Sequence, residues 1–272
     1  MAGRLSGKAA LVIGGSSGFG EAIARCFVRE GARVMIAARG EEKLRRVAAE
    51  LGCESRVCDA TDWQQLKALA DAALAQLGGL DVAVNSAGFS DSVPIAQLEP
   101  ARVEKMVAVQ YTGALYFIQH MANAMAKAGR GGSVITISSL TGTLVAEGHA
   151  PYAGAKAGIN HVTRIAASEY GAKKIRCNVV SPTTIETPMI AELFKTPGVR
   201  DAMTAEAPLG ELPGIEDVAN AVLFFASDDS RFVTGQNLHV DAGGSLRRLP
   251  RESDFIGSIR AALAKQKPPA QS

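Results

Sequence analysis

The run Ala9-Ala10-Leu11-Val12-Ile13-Gly14-Gly15-Ser16-Ser17-Gly18-Phe19-Gly20-Glu21 decides the fold. Its apolar head is a short stretch with no polar alternation, which suits a strand covered on both faces. The glycines that follow permit a sharp turn, and Glu21 to Arg29 has helical spacing. A strand entering a helix through such a turn gathers free amides and the positive end of the helix dipole, a setting that stabilises a pyrophosphate. A glycine-rich loop on its own can equally serve packing, so its meaning depends on what surrounds it.

Outward from that turn, apolar runs at Arg33 to Ala38, Leu80 to Val84, Ser133 to Ile137, Ile175 to Val180 and Asn237 to Val240 read as buried parallel strands. Between them, Glu41 to Leu51, Trp63 to Leu77, Ala101 to Lys127, Tyr152 to Tyr170 and Ile215 to Ala226 have helical spacing. This β-α-β-α order predicts an α/β fold, a doubly wound parallel sheet with helices on both faces and right-handed crossovers. The alternation is interrupted between Ser181 and Gly214, which holds Pro182, Pro188, Pro197, Pro208 and Pro213 with short helical pieces such as Met189 to Lys195. A long irregular insertion after a strand suits a lid, here residues 182–214.

With 272 residues, 47% of them hydrophobic, one large core is expected. The formal charge of +2, from 29 Lys+Arg against 27 Asp+Glu, argues against a nucleic-acid partner. The locally basic stretch Arg247 to Arg251 reads as a solvated surface segment. Cys26, Cys53, Cys58 and Cys177 are scattered without a CxxC pair or a nearby histidine, so neither a metal site nor a disulfide framework is expected. Met1 to Lys8 lacks the apolar region of a signal peptide and no run is long enough to span a bilayer, which points to a cytoplasmic protein with no membrane partner. The end, Lys265 to Ser272, reads as disordered or loosely docked.

The spacing of Gly14, Gly18 and Gly20 matches T-G-x-x-x-G-x-G, and through it the chain resembles the short-chain dehydrogenases/reductases. Asn85-Ser86-Ala87-Gly88 is similar to the family's N-N-A-G, and Val233 to Gly244 to its last strand and loop, so the resemblance spans residues 7 to 245. It implies a single-domain Rossmann-type sheet of about seven strands over 1–245, with 246–272 as a C-terminal extension. It also implies a nicotinamide cofactor held by Gly14, Ser16, Ser17, Gly18, Phe19 and Gly20, with Asp59 and Ala60 at the adenine and Asn85, Ala87 and Gly88 bordering it. Ile13 stands where the family usually has threonine. A lone Asp in the place of Asp59 would otherwise be a helix cap or turn residue.

After the second strand, Ala37-Ala38-Arg39 offers no carboxylate for a ribose 2′-hydroxyl, and Arg39 suits a 2′-phosphate instead. NADP(H) is expected on that ground. Arg39 stacking on adenine or facing water, with Ser17 where many NADP-dependent relatives carry a basic residue, leaves NAD(H) open.

Tyr152 and Lys156, four residues apart, share one helix face. A neighbouring ammonium favours phenolate, so a lowered Tyr152 pKa is expected, in reach of proton transfer. Ser139, thirteen positions upstream, follows a strand and suits hydrogen bonding to a substrate oxygen; it lacks the G-x-S-x-G elbow of a hydrolase. The family implies Ser139, Tyr152 and Lys156 as catalytic, with Tyr152 and Lys156 also touching the cofactor. Gln110 occupies the place of the family's relay asparagine, with the same amide on a longer arm. Ser181-Pro182-Thr183-Thr184 departs from the usual Pro-Gly, yet Pro182, Thr183, Ile185 and Thr187 are expected near the nicotinamide, Thr187 alternatively capping a helix.

The function implied is a ketoreductase or alcohol dehydrogenase on a small carbonyl or alcohol substrate. Met189, Ile190, Leu193, Phe194, Phe89, Leu144 and Val145 suggest an apolar pocket, for instance for a cyclic, aryl or acyl ketone, although such residues also serve as core or interface. Glu147 and His149 are candidates for polar selectivity. The alternative is a cofactor-sensing or scaffold protein that has lost catalysis, permitted by Gln110 and Thr183. Relatives imply a homotetramer, and the helical spacing from Ile256 to Leu263 suggests a tail that packs on a neighbour.

Overall fold

A computed structural model describes residues 3–187, 190–251, 253, 254 and 256. Pro188, Met189, the tail at 257–272 and the first two residues, each bearing on an expectation above, lie outside the described residues.

Seven strands form one sheet: β1 Ala9–Ile13, β2 Arg33–Ala38, β3 Glu54–Val57, β4 Val82–Asn85, β5 Gly132–Ile137, β6 Ile175–Pro182 and β7 Asn237–Val240. Their order is β3-β2-β1-β4-β5-β6-β7, and every pair is parallel. The helices are α1 Gly18–Arg29, α2 Glu41–Leu51, α3 Trp63–Leu77, α4 Pro100–Val107, α5 Gly113–Ala128, α6 Ala150–Tyr170, α7 Ala191–Phe194, α8 Val199–Ala205 and α9 Ile215–Ala226.

The two faces of the sheet make two cores, and the period-2 alternation of the strands sorts residues between them. Leu11, Ile13 and Met35 pack with α3 and α5 residues such as Leu69, Phe117 and Met121 on one side. Val12, Ile36 and Val84 pack with Ile23, Phe27, Val222 and Phe225 of α1 and α9 on the other. Covering on both faces explains why the inner strands are largely apolar; β7, expected to be buried, lies at the sheet edge with Asn237 and Leu238 exposed. The chain winds outward through β2 and β3 and then in the opposite direction through β4 to β7, so the order reverses between β1 and β4, where a crevice opens at the carboxyl ends of the strands.

Three boundaries differ from the sequence reading. The helix expected over 101–127 is interrupted by a π turn at Ala108–Thr112, which splits it into α4 and α5. β3, with its polar and largely exposed Glu54-Ser55-Arg56-Val57, carries no apolar run and forms by pairing with β2 alone. β6 runs two residues past Val180, because Ser181 and Pro182 still pair with His239 and Val240.

Candidate active site

The glycine turn lies where the crevice opens. Gly14 has φ of +82°, and a Cβ there would sit 2.6 Å from the carbonyl carbon of Ser86. The turn therefore crosses directly over the end of β4, which only glycine permits. Gly18 has φ of +55° and faces open space, with nothing within 4 Å of the missing Cβ. Ser17 is the N-cap of α1 but makes no side-chain capping bond, which leaves the leading amides of that helix free of any side chain. Ser16 and Phe19 flank this opening, half-buried, while Gly20 is buried against the Gly14 carbonyl. At the end of β2, Arg39 is exposed and has no ion-pair partner among the described residues. Open space at Gly18, an uncapped helix start and an available guanidinium together fit a dinucleotide whose phosphates meet this loop.

Further along the crevice, Asp59 closes a tight turn: Oδ1 accepts from the amide and hydroxyl of Thr61, each at 2.8 Å. The cap of α3 is Asp62, not Asp59. Ala60 is buried beside it. Asn85 is buried at the end of β4, and its Oδ1 accepts from Ala87 N at 3.1 Å, shaping the turn into Gly88.

Ser139, Tyr152 and Lys156 converge at the end of β5. Ser139 Oγ accepts from Thr141 N at 3.2 Å and Thr141 Oγ1 at 3.1 Å, which fixes the serine in a short turn. Lys156 is buried, with Nζ 2.8 Å from the Ile137 carbonyl and 5.6 Å from the centre of the Tyr152 ring. Burial lowers the Lys156 pKa to about 7. It raises that of Tyr152, while a hydrogen bond from Ser139 pulls the phenol the other way. The lowered tyrosine expected from a neighbouring ammonium is thus reversed: the lysine is desolvated too, so near neutrality its positive charge is only partly present to favour phenolate. His149 stands edge-on to Tyr152 with ring centres 6.4 Å apart, and its Nδ1 lies 2.9 Å from the Glu147 carbonyl.

Gln110 is buried inside the π turn. Nε2 donates to the Phe89 carbonyl, and Oε1 is buried without a partner. The amide packs on Gly88, where a Cβ would meet Nε2 at 2.9 Å and Oε1 at 3.0 Å. The longer arm thus braces the loop after β4. Lys105 lies over the Phe89 ring at 5.4 Å, and Arg102 pairs with Asp91 at 3.2 Å, so α4 holds the same loop.

Pro182 ends β6, Thr183 N donates to the Val240 carbonyl at 3.1 Å, and Ile185 is buried. Thr187 is half-buried upstream of α7, whose N-cap is Ile190, so it does not cap that helix. The short helix expected at 189–195 is α7, and α8 joins it within 182–214. Leu144 and Val145 line an outer groove of about 630 Å³ with Ala150, Ala153 and Ala157. Ile137 and Thr141 escaped the sequence reading. A backbone carbonyl leaves no mark in the residue type, whereas Ser139-x-Thr141 is a turn pattern visible in the sequence.

Among the described residues no group of three His, Cys, Asp or Glu side chains could hold a metal ion, and all four cysteines are free. No helix among them is long and apolar enough to cross a membrane.

A parallel sheet with this strand order, a glycine cradle and a Ser-Tyr-Lys cluster at the adjoining strand end define a dinucleotide-dependent dehydrogenase or reductase. The family described as enoyl-(acyl carrier protein) reductase matches residues 13–245. The chain is 35% identical over 254 residues to the 2,5-dichloro-2,5-cyclohexadiene-1,4-diol dehydrogenase of Sphingobium indicum, covering 90% of this chain and 99% of the relative. It is 36% identical over 241 residues to the cis-4-hydroxycyclohexanecarboxylate dehydrogenase of Sinomonas cyclohexanicum, covering 87% and 96%. A short-chain type dehydrogenase/reductase from Mycobacterium ulcerans superposes with a TM-score of 0.89 at 31% identity, covering 94% of this chain and 98% of that one. The chain belongs to the short-chain dehydrogenase/reductase family. It is accordingly a nicotinamide-dependent oxidoreductase acting between a secondary alcohol and a ketone.

Proposed function

We propose that the enzyme uses NADP(H) and interconverts an apolar cyclic secondary alcohol and its ketone, with Tyr152 exchanging the proton of the substrate oxygen. The observation that carries this is the convergence of Ser139, Tyr152 and Lys156 at the end of β5. The cofactor supplies or accepts the hydride at the substrate carbon. The side chains manage the oxygen.

In the reducing direction the Tyr152 hydroxyl donates its proton to the substrate oxygen, and in the oxidising direction it takes that proton back. Burial raises its pKa, so the phenol stays protonated near neutrality and yields its proton only to the strongly basic alkoxide that develops as hydride arrives. Ser139 Oγ donates a hydrogen bond to the same oxygen and stabilises the negative charge that develops there. Lys156, with a pKa of about 7, is present in both protonation states near neutrality and serves to return a proton to the phenol. Its anchorage on Ile137 O keeps Nζ beside the tyrosine.

Gly14, Ser16, Ser17, Gly18, Phe19 and Gly20 hold the pyrophosphate, and Arg39 takes the 2′-phosphate, with no carboxylate at the end of β2 to favour a free ribose hydroxyl. Asp59 and Ala60 border the adenine, Asn85, Ala87 and Gly88 the ribose side. Pro182, Thr183, Ile185 and Thr187 border the nicotinamide. Residues 182–214 form the lid. A cyclic substrate is supported by the ring alcohols named for the two relatives above and by half-buried Phe89 and Phe194.

A cytoplasmic homotetramer is the assembly we favour. Exposed Phe232, at 90%, and Leu246, at 82%, flank the β7 edge of the sheet and suit contact with another copy. The test of the reading is calorimetric titration with NADPH and with NADH, followed by assay on cyclohexanone and cyclohexanol. Tighter NADPH binding and turnover are expected. Preference for NADH would remove the Arg39 assignment, and binding of neither would remove the oxidoreductase.

A further inference from the structure

A serine hydroxyl carries one hydrogen and two lone pairs, and both lone pairs of Ser139 Oγ are met by one residue. The Thr141 amide lies 3.2 Å away and the Thr141 hydroxyl 3.1 Å away. The amide can only donate. Between two hydroxyls either partner can donate, and two observations decide the direction. Among the described residues Thr141 Oγ1 bonds to Ser139 alone. Burial raises the Tyr152 pKa, and the bond from Ser139 works against that rise, which a serine does only as the donor. The serine hydrogen therefore serves Tyr152, and the hydrogen between the two hydroxyls belongs to Thr141.

The turn that carries Thr141 is held on every side. It is the single 3₁₀ turn Leu140–Gly142, and Leu140 is buried. Gly142 packs on α6, where a Cβ would lie 2.9 Å from Asn160 Nδ2 and 3.1 Å from the carbonyl carbon of Lys156. Thr143 Oγ1 stands 3.3 Å from His239 Nε2 on β7. A turn wedged between α6 and β7 keeps the Thr141 hydroxyl at Ser139, and α6 is the helix that bears Tyr152 and Lys156. The plain role of a Ser-x-Thr pattern is to form the turn. The amide bond from Thr141 already does that, so the hydroxyl is an addition with its own consequence.

We propose that Thr141 is a positioning residue for the reaction: its hydroxyl occupies the second lone pair of Ser139 Oγ and so commits the serine hydrogen to the substrate oxygen. A serine with a free lone pair accepts from Tyr152 or from a substrate hydroxyl as readily as it donates. With both lone pairs engaged it can only donate, and accepting two hydrogen bonds polarises its O–H toward stronger donation. The donor then faces the oxygen on which negative charge develops without having to reorient. The proposal rests on the Ser139, Tyr152 and Lys156 centre and on the ketone and alcohol substrates read above.

The test compares the full-length wild type with Thr141→Val, which keeps the branched side chain and the amide bond but lacks the hydroxyl, and with Thr141→Ser, which keeps the hydroxyl. In cyclohexanone reduction, Thr141→Val is expected to lower kcat about fivefold, the worth of one neutral hydrogen bond, with KM for NADPH within about twofold. Thr141→Ser should stay within about twofold of the wild type in both. The Tyr152 phenol is titrated without substrate, as the phenolate absorbance difference between each enzyme and its Tyr152→Phe counterpart. That titration should move to higher pH in Thr141→Val, where the serine no longer has to donate, and stay in place in Thr141→Ser. An unmoved titration in Thr141→Val, an unaltered kcat, or equal losses in the two variants would overturn the proposal. If the wild type does not reduce cyclohexanone, the substrate reading falls separately, and the phenol titration alone then decides the role of Thr141.

Discussion

Lys156 Nζ stands 2.8 Å from the carbonyl oxygen of Ile137, two residues before Ser139. That bond joins α6 to the end of β5 and so sets the position of the tyrosine relative to the serine. It also leaves the lysine buried with a single protein acceptor, which is why its pKa falls to about 7.

Replacing Tyr152 with phenylalanine removes the proton-exchanging oxygen and little volume. A fall in kcat of about a thousandfold is expected, with affinity for NADPH changed by less than about tenfold. Steady-state kinetics and calorimetry on the same preparation check this, and a variant retaining a tenth of wild-type kcat would exclude Tyr152 as the proton donor.

The Lys156 shift makes stability depend on pH. Between about pH 7 and the ordinary lysine value of ~10.4 the unfolded chain binds a proton that the folded chain does not, so this group's contribution to stability rises with pH through that window and is lost as pH falls toward 7. Lys156→Met removes the titration. Melting temperatures from pH 7 to 9 should climb less steeply in the variant than in the wild type, and parallel curves would contradict a buried lysine of lowered pKa. Tyr152, raised by burial, acts in the opposite sense and only above its ordinary value near 10.

Arg39 has no competing carboxylate among the described residues. Arg39→Ala is expected to weaken NADPH about ten- to a hundredfold, the loss of charge-assisted hydrogen bonds to a phosphate, and NADH less than about twofold. Equal weakening of both would place the arginine on the adenine face instead.

Gly88 and Gln110 should be energetically coupled. A Cβ at Gly88 would lie 2.9 Å from Gln110 Nε2, and that amide cannot swing aside freely because it is buried and bonded to Phe89 O. Gly88→Ala is expected to cost about 1–3 kcal/mol. Gln110→Asn, which shortens the arm, should recover part of that loss when combined with it. Chemical denaturation of the two single variants and the double one measures the coupling, and strict additivity would show that the two residues do not share the space.

The inner strands from Ala9 to Val180 were legible because parallel strands covered on both faces must be largely apolar, and that demand is written in residue types; β7, an edge strand with Asn237 and Leu238 exposed, was read from the resemblance of Val233 to Gly244 and its short run. β3 was placed ahead of Asp59 only through the family resemblance, since an edge strand of polar residues owes its place to pairing with β2 rather than to burial. The π turn at Ala108–Thr112 was hidden as well, because its residues keep helical spacing and only the register of backbone hydrogen bonds changes.

At the site, local spacing alone put Tyr152 and Lys156 on one helix face and set Gly14, Gly18 and Gly20 into a turn, because each depends on a few consecutive residues. The direction of the Tyr152 shift, the use of Gln110 on the Phe89 loop and, in a segment expected to be solvated, the pairing of Arg247 with the Ala205 carbonyl and of Arg248 with Glu206 were decided by tertiary structure. Desolvation and the choice of hydrogen-bond partner depend on what the folded chain brings within a few ångströms, and residues as distant in sequence as Glu206 and Arg248 acquire that neighbourhood only when the core closes.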